Sequence, residues 1–128
     1  MTSSLIKGET AQLKCQLRAS EKGYIVSIPS TEVSYDLVLD DGKSNLLKTQ
    51  VKFCARRHSK SNSLELALYN TNSNRPHYTS QQIDLLLVYL PEVDKVLAYK
   101  EDIFHEKKTI TINLTNKNSP HHFSHYVW

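Results

Sequence analysis

Two short apolar runs separated by one turn constrain this chain more than any other feature. Tyr35-Asp36-Leu37-Val38-Leu39 is followed by Asp40-Asp41-Gly42-Lys43, then by Leu46-Leu47-Lys48-Thr49-Gln50-Val51-Lys52-Phe53. Alternating and β-branched apolar residues on both sides of an Asp-Asp-Gly turn predict a hairpin with one buried and one wet face. The polar residues within it are unevenly placed. Asp36 opens the first strand, and Gln50 and Lys52, two residues apart, share a face late in the second. An acid, an amide and an ammonium on one sheet face make an oxygen-ligand site for a hard divalent cation, with a lysine beside it to meet negative charge. The same residues also suit the solvated side of an amphipathic strand, so the pattern takes its meaning from the rest of the chain.

Upstream, the stretch from Ser3 or Ser4 to about Lys22 lacks proline, and Leu5, Ile6, Leu13, Leu17 and Ala19 recur at helical spacing before Gly23. This predicts one long helix with those residues as its apolar face. Gly8 inside it points to close approach by another element, and Glu9 lies in its first half. Residues 23–29 predict a short buried strand halted by Pro29. Downstream, Leu64 to Tyr69 suits either a strand or a helical turn, and Asn70 to His77 is loop by composition. The most apolar run, Ile83-Asp84-Leu85-Leu86-Leu87-Val88-Tyr89-Leu90-Pro91, predicts a central strand covered on both faces. It returns through Lys95 to Tyr99, a brief helix at Lys100 to Phe104, and an alternating edge strand at Thr109 to Leu114.

With 128 residues the chain has the length of one domain, 1–128. No apolar run is long enough to span a membrane, and the N-terminus lacks the basic start and apolar core of a signal peptide, which predicts a cytoplasmic, nucleoid-associated location. Cys15 and Cys54 have no paired spacing suggesting zinc or a disulfide framework, so both are expected as thiols. The histidines of the tail, His121, His122 and His125, sit on irregular chain without a nearby cysteine, a poor setting for a metal. Tyr126, Val127 and Trp128 are expected to pack against the domain or a sister subunit. The net charge of +3 does not by itself argue for nucleic acid. Its distribution says more, because Lys48, Lys52, Arg56, Arg57, Lys60 and His58 fall in a stretch without one acid.

Taken in order, Lys7-Gly8-Glu9 on the helix, Tyr35-Asp36, Gln50-Val51-Lys52, and Ile83-Asp84 through Pro91 with Asp94-Lys95-Val96 resemble the PD-(D/E)XK nucleases. More closely, they resemble the small homing endonucleases of that superfamily encoded in group I introns. The resemblance runs from the helix to about Phe104. Two positions depart from the usual motif: Tyr35 stands where proline precedes the key Asp, and Gln50 stands where an acid precedes the lysine by two. The resemblance implies an α/β fold, a PD-(D/E)XK core whose central mixed β-sheet is flanked by helices, with a DNA-binding hairpin or loop extension.

It further implies that Asp36 ligates a catalytic divalent ion, with Glu9 a second acid acting directly or through water. Gln50 and the Val51 carbonyl would complete the site, and Lys52 would position or activate the attacking water. Mg2+ suits such an oxygen-rich site, with Mn2+ as a substitute. For the double-stranded DNA partner the candidate contacts are Arg56, Arg57, Lys60, Asn62, Arg75, His77 and Tyr78, with Asn70, Asn72 and Asn74 beside them. Cutting both strands with one small site per chain requires a homo-oligomer, a dimer or tetramer. The function expected is therefore site-specific double-strand DNA cleavage. The alternatives are a Holliday-junction resolvase-like nuclease and a catalytically degenerate DNA-binding protein of the same fold.

Overall fold

A computed structural model describes residues 3–55, 62–68, 83–105 and 107–128. The expected helix is α1, Ser4–Glu21, capped by the Ser3 hydroxyl accepting the Ile6 N–H at 3.2 Å. It ends at Lys22 and Gly23, the latter at φ 91°, a left-handed backbone that glycine adopts without a Cβ clash. Its buried face differs from the expected one. Ala11, Cys15 and Ala19 pack inward, while Leu5, Ile6, Leu13 and Leu17 are 85%, 57%, 56% and 59% exposed. The helix lies directly on the sheet, and only small side chains fit beneath it.

That sheet has five strands in the order β1 (Ile25–Ser27), β2 (Leu37–Asp40), β3 (Leu46–Phe53), β5 (Leu85–Leu90) and β6 (Lys95–Lys100). The hairpin of β2 and β3 forms as expected, antiparallel with Leu37 opposite Thr49 and Leu39 opposite Leu47. β3 then pairs with β5 in parallel, and β5 with β6 antiparallel, which makes the sheet mixed. A second, two-stranded sheet joins β4 (Ser63–Ala67) to β7 (Thr109–Asn113), so the Leu64 stretch is strand rather than helical turn.

β5 is buried along its whole length because its two faces feed two cores. Leu85, Leu87 and Tyr89 pack under α1 with Leu37, Leu39 and Val51. Leu86, Val88 and Leu90 pack on the other side against β4, β7 and Phe104 of the short helix α2 (Glu101–Phe104). Each core holds one of the two cysteines, buried and outside any disulfide. A clamp fixes α1 across the β5–β6 turn: Lys14 Nζ and the Tyr89 hydroxyl both donate to Asp94 Oδ1, at 3.0 and 2.7 Å.

The aromatic tail packs on its own domain. Val127 bridges to Leu97, the Ala98 N–H donates to the Tyr126 carbonyl, and the Trp128 N–H donates to the Val96 carbonyl, both at 2.9 Å. Tyr126 stacks on Tyr99 at 4.5 Å, and Trp128 meets Tyr24 at 5.6 Å. The tail thus covers the open edge of β6, which would otherwise present unpaired backbone groups. β1, expected to be buried, is instead an exposed edge strand with Ile25 62% accessible. Among the described residues no helix is long and apolar enough to cross a membrane.

Close approach does not explain Gly8, since a Cβ there would meet nothing within 4 Å. Gly8→Ala should therefore raise stability by up to about 1 kcal/mol through helix propensity alone. Urea denaturation followed by circular dichroism measures it, and a loss of stability would show that the position is constrained.

Candidate active site

β3 is gripped from both sides by carboxylates. On the β2 side, the Asp36 N–H donates to the Thr49 carbonyl at 2.8 Å and Asp36 Oδ2 accepts the Val51 N–H at 2.8 Å. On the β5 side, Asp84 does the same for Lys48: its N–H donates to the Lys48 carbonyl at 2.7 Å and its Oδ2 accepts the Lys48 N–H at 2.9 Å. Asp36 sits one residue ahead of β2, where that strand leaves its partner, so a side chain takes over a ladder bond the backbone no longer makes.

The register brings the predicted residues of the hairpin together. Leu37 faces Thr49, so the position before it, Asp36, faces Gln50, and Lys52 follows two residues along β3. Leu47, Val51 and Phe53 belong to the core under α1, so Gln50 and Lys52 lie on the opposite face of the strand. Asp36, Gln50 and Lys52 are all half-buried.

Burial dominates the ionisation of this pair. It pushes the Asp36 carboxyl up from its usual value, against the opposing pulls of the Val51 N–H and the Lys52 charge. It pulls the Lys52 ammonium down, against the opposing pull of Asp36. Each group is shifted toward neutrality despite its partner, which marks a spot where further positive charge beside the carboxylate would be favourable. Under the site lies Cys15 of α1, whose thiol is raised to about 12 by burial and by the nearby Asp36 charge.

Glu9 is exposed on the first half of α1, between Lys7, whose ammonium lies over the Phe53 ring at 5.9 Å, and Ala11, which packs in the core with Val51; it is not among the charges that set Asp36 or Lys52. Asn62 is exposed at the start of β4, where its carbonyl accepts the Leu114 N–H at 2.8 Å. Arg56, Arg57, Lys60, Arg75, His77 and Tyr78, with Asn70, Asn72 and Asn74, lie outside the described residues.

The comparisons with known proteins agree with this architecture. A family model described as PD-(D/E)XK endonuclease matches residues 2–126. The chain belongs to the PD-(D/E)XK endonuclease family. A solved structure of a bacterial homing endonuclease, I-Ssp6803I, matches over 99% of this chain and 88% of its own, at 25% identity and a TM-score of 0.76. No curated protein sequence matches significantly. The protein is thus a nuclease of the PD-(D/E)XK type on a mixed five-stranded sheet, and its substrate is DNA.

Nucleases of this family use divalent metal ions, and the donor set here fits one in kind. Asp36 offers a carboxylate short of compensating charge, and Gln50 opposite it offers a neutral amide oxygen. The set is lean, since no group of three or more His, Cys, Asp or Glu is gathered among the described residues. Such a site suits an ion that keeps several waters and takes further oxygens from a phosphate.

Two neighbours of the site escaped the sequence reading. Asp84 stands in the apolar run and in the family-like motif order but carries no assigned role there, and nothing in its spacing announces that it holds β5 to β3. Cys15 shares the i, i+4 spacing of Ala11 and Ala19, a signal hidden by the larger leucines of the same helix.

The raised pKa of Asp36 has a testable sign. Folding holds its ionised form at a cost that is fully present above the folded pKa and vanishes as pH falls through it. Asp36→Asn keeps an oxygen to accept the Val51 N–H but carries no charge. It should therefore be more stable than the parent at pH 8 by no more than about 1 kcal/mol, with the gap closing under acid conditions. Thermal denaturation across pH measures this, and a variant less stable at pH 8 would mean that the charge holds the hairpin together.

Proposed function

We propose that this PD-(D/E)XK nuclease is a site-specific homing endonuclease, of the kind encoded in introns, that hydrolyses both strands of duplex DNA with Mg2+. The observation that carries the reading is the half-buried Asp36–Lys52 pair, in which burial weakens both charges next to the Gln50 amide. The whole chain acts as one endonuclease domain in the cytoplasm, on nucleoid DNA.

In this reading Asp36, Gln50 and the Val51 carbonyl would hold the ion, whose contribution when bound would be Lewis acidity at the scissile phosphate. Mn2+ would substitute. Glu9 contributes from the solvent side, through water. Lys52 does the work next to the phosphate: its ammonium steadies the developing negative charge, and its lowered pKa lets it orient and exchange a proton with the attacking water. Arg56, Arg57, Lys60, Asn62, Arg75, His77 and Tyr78 hold the duplex, with Arg and Asn the types suited to reading guanine and adenine. Each chain offers one such site, so a double-strand break calls for a dimer or tetramer.

Incubation with a genomic DNA library and Mg2+, followed by sequencing of the broken ends, should return one recurrent site. Asp36→Asn and Lys52→Ala should each lower cleavage of that site by at least about 100-fold while retaining DNA binding in a gel-shift assay. Undiminished cutting by either variant would remove the roles assigned to them. Preferential cleavage of a four-way junction over linear duplex would replace homing with junction resolution.

A further inference from the structure

Three lysines of α1 rest on aromatic rings. Lys7 lies over Phe53 at 5.9 Å, Lys14 over Tyr89 at 5.6 Å and Lys22 over Trp128 at 5.5 Å. The first two form a matched set: Lys7 and Lys14 are about two helical turns apart, and the rings beneath them are register partners on β3 and β5 with centroids 6.1 Å apart. Their charges are answered differently. The Lys14 ammonium donates to Asp94 at 3.0 Å, whereas among the described residues no carboxylate pairs with Lys7. Its own helix offers none, because the positions within reach of it hold Ser3, Ser4, Thr10 and Ala11, and the first turn of α1 carries no acid.

The ring determines where that ammonium is held. Phe53 is the last residue of β3 and follows Lys52 directly, so the two side chains leave the strand on opposite faces. Phe53 packs against the core under α1. Lys7 therefore brings positive charge to the carboxyl end of β3 from the helix side, as Lys52 does from the other. β3 and β5 run parallel and finish together here, and the carboxyl ends of strands are where open α/β sheets receive their ligands. An ammonium has three donors. The ring takes up one side of it and leaves the rest directed to solvent, where Lys7 is exposed. A lysine already held on a ring also loses less rotamer freedom when it meets a ligand.

We propose that Lys7, held over Phe53, is a DNA contact whose ammonium binds a backbone phosphate beside the one cut at Asp36 and Lys52. The duplex backbone crosses the carboxyl end of β3, with Lys52 at the scissile phosphate and Lys7 at a neighbouring one on the α1 side. Such a contact holds the duplex in register without reading its sequence. Lys14, closed by Asp94, serves the fold, and Lys22 stands about 22 Å further along the helix axis, away from the crossing.

The inference rests on Asp36 and Lys52 marking the cleavage site. Its test is the salt dependence of binding, followed by fluorescence anisotropy of a short labelled duplex and the full chain without divalent ion, so that nothing is cut. Each phosphate contact adds about 0.9 to the slope of log affinity against log salt. Lys7→Gln should flatten the slope by about that amount and weaken binding several-fold on any sequence, with the circular dichroism spectrum unchanged. Lys7→Arg, which keeps the charge, should keep the parental slope. Lys22→Gln removes one charge and one ring contact of the same kind, and it should keep the parental slope too. A parental slope in Lys7→Gln, or equal flattening in Lys22→Gln, overturns the proposal. Failure of the site assignment is read from cleavage, as undiminished cutting by Lys52→Ala, and failure of the Lys7 contact from binding, so the two are told apart.

Discussion

The Asp36 carboxylate accepts the Val51 N–H at the point where β2 leaves β3, and the rest of the site depends on that bond. A strand that parts from its neighbour leaves backbone donors unanswered, and burying them unanswered is costly. Filling the gap with a carboxylate satisfies the donor, but it also brings a negative charge into a half-buried position opposite Gln50 and near Lys52. The same hydrogen bond therefore closes the hairpin and fixes the chemical group within it.

On the other side of β3, Asp84 repeats the device at Lys48, so the strand carrying the amide and the lysine is held at two points by side chains as well as by its ladders. The two cores then make it rigid. α1 lies close over one face through Ala11, Cys15 and Ala19, and β5 carries apolar side chains into both layers. Rigid support of this kind is what allows a half-buried acid to remain short of countercharge instead of relaxing toward water or a better partner. Burial and charge thus work against each other at Asp36 and Lys52, and a divalent ion with a phosphate would relieve both.

Most of this fold was legible in the sequence because it rests on strong periodic signals. The alternation around Asp41 and Gly42 gave the hairpin, the unbroken apolar run from Leu85 to Leu90 gave a strand covered on two faces, and Gly23 gave the end of α1. The errors have physical causes. Leu5, Ile6, Leu13 and Leu17 read as a core face because size dominates a hydrophobicity pattern, whereas a helix seated directly on a sheet buries small residues. Ile25 was expected inside because its run is apolar, although a three-residue strand at a sheet edge has a neighbour on one side only. Within the site, spacing alone put Gln50 and Lys52 on one face. That Asp36 faces them follows from strand register, and that Glu9 stands out in solvent follows from the rotation of α1 on the sheet, neither of which a motif records.

The measurement that bears most directly on the central claim is calorimetric titration of Mn2+ into the protein and into Asp36→Asn at neutral pH, with a noncleavable duplex present. If the carboxylate at the β2–β3 gap is what makes this spot a cation site, the parent chain takes up the ion and the variant, equally folded, loses that uptake. Equal uptake by both proteins would contradict the account and move the metal site elsewhere in the molecule.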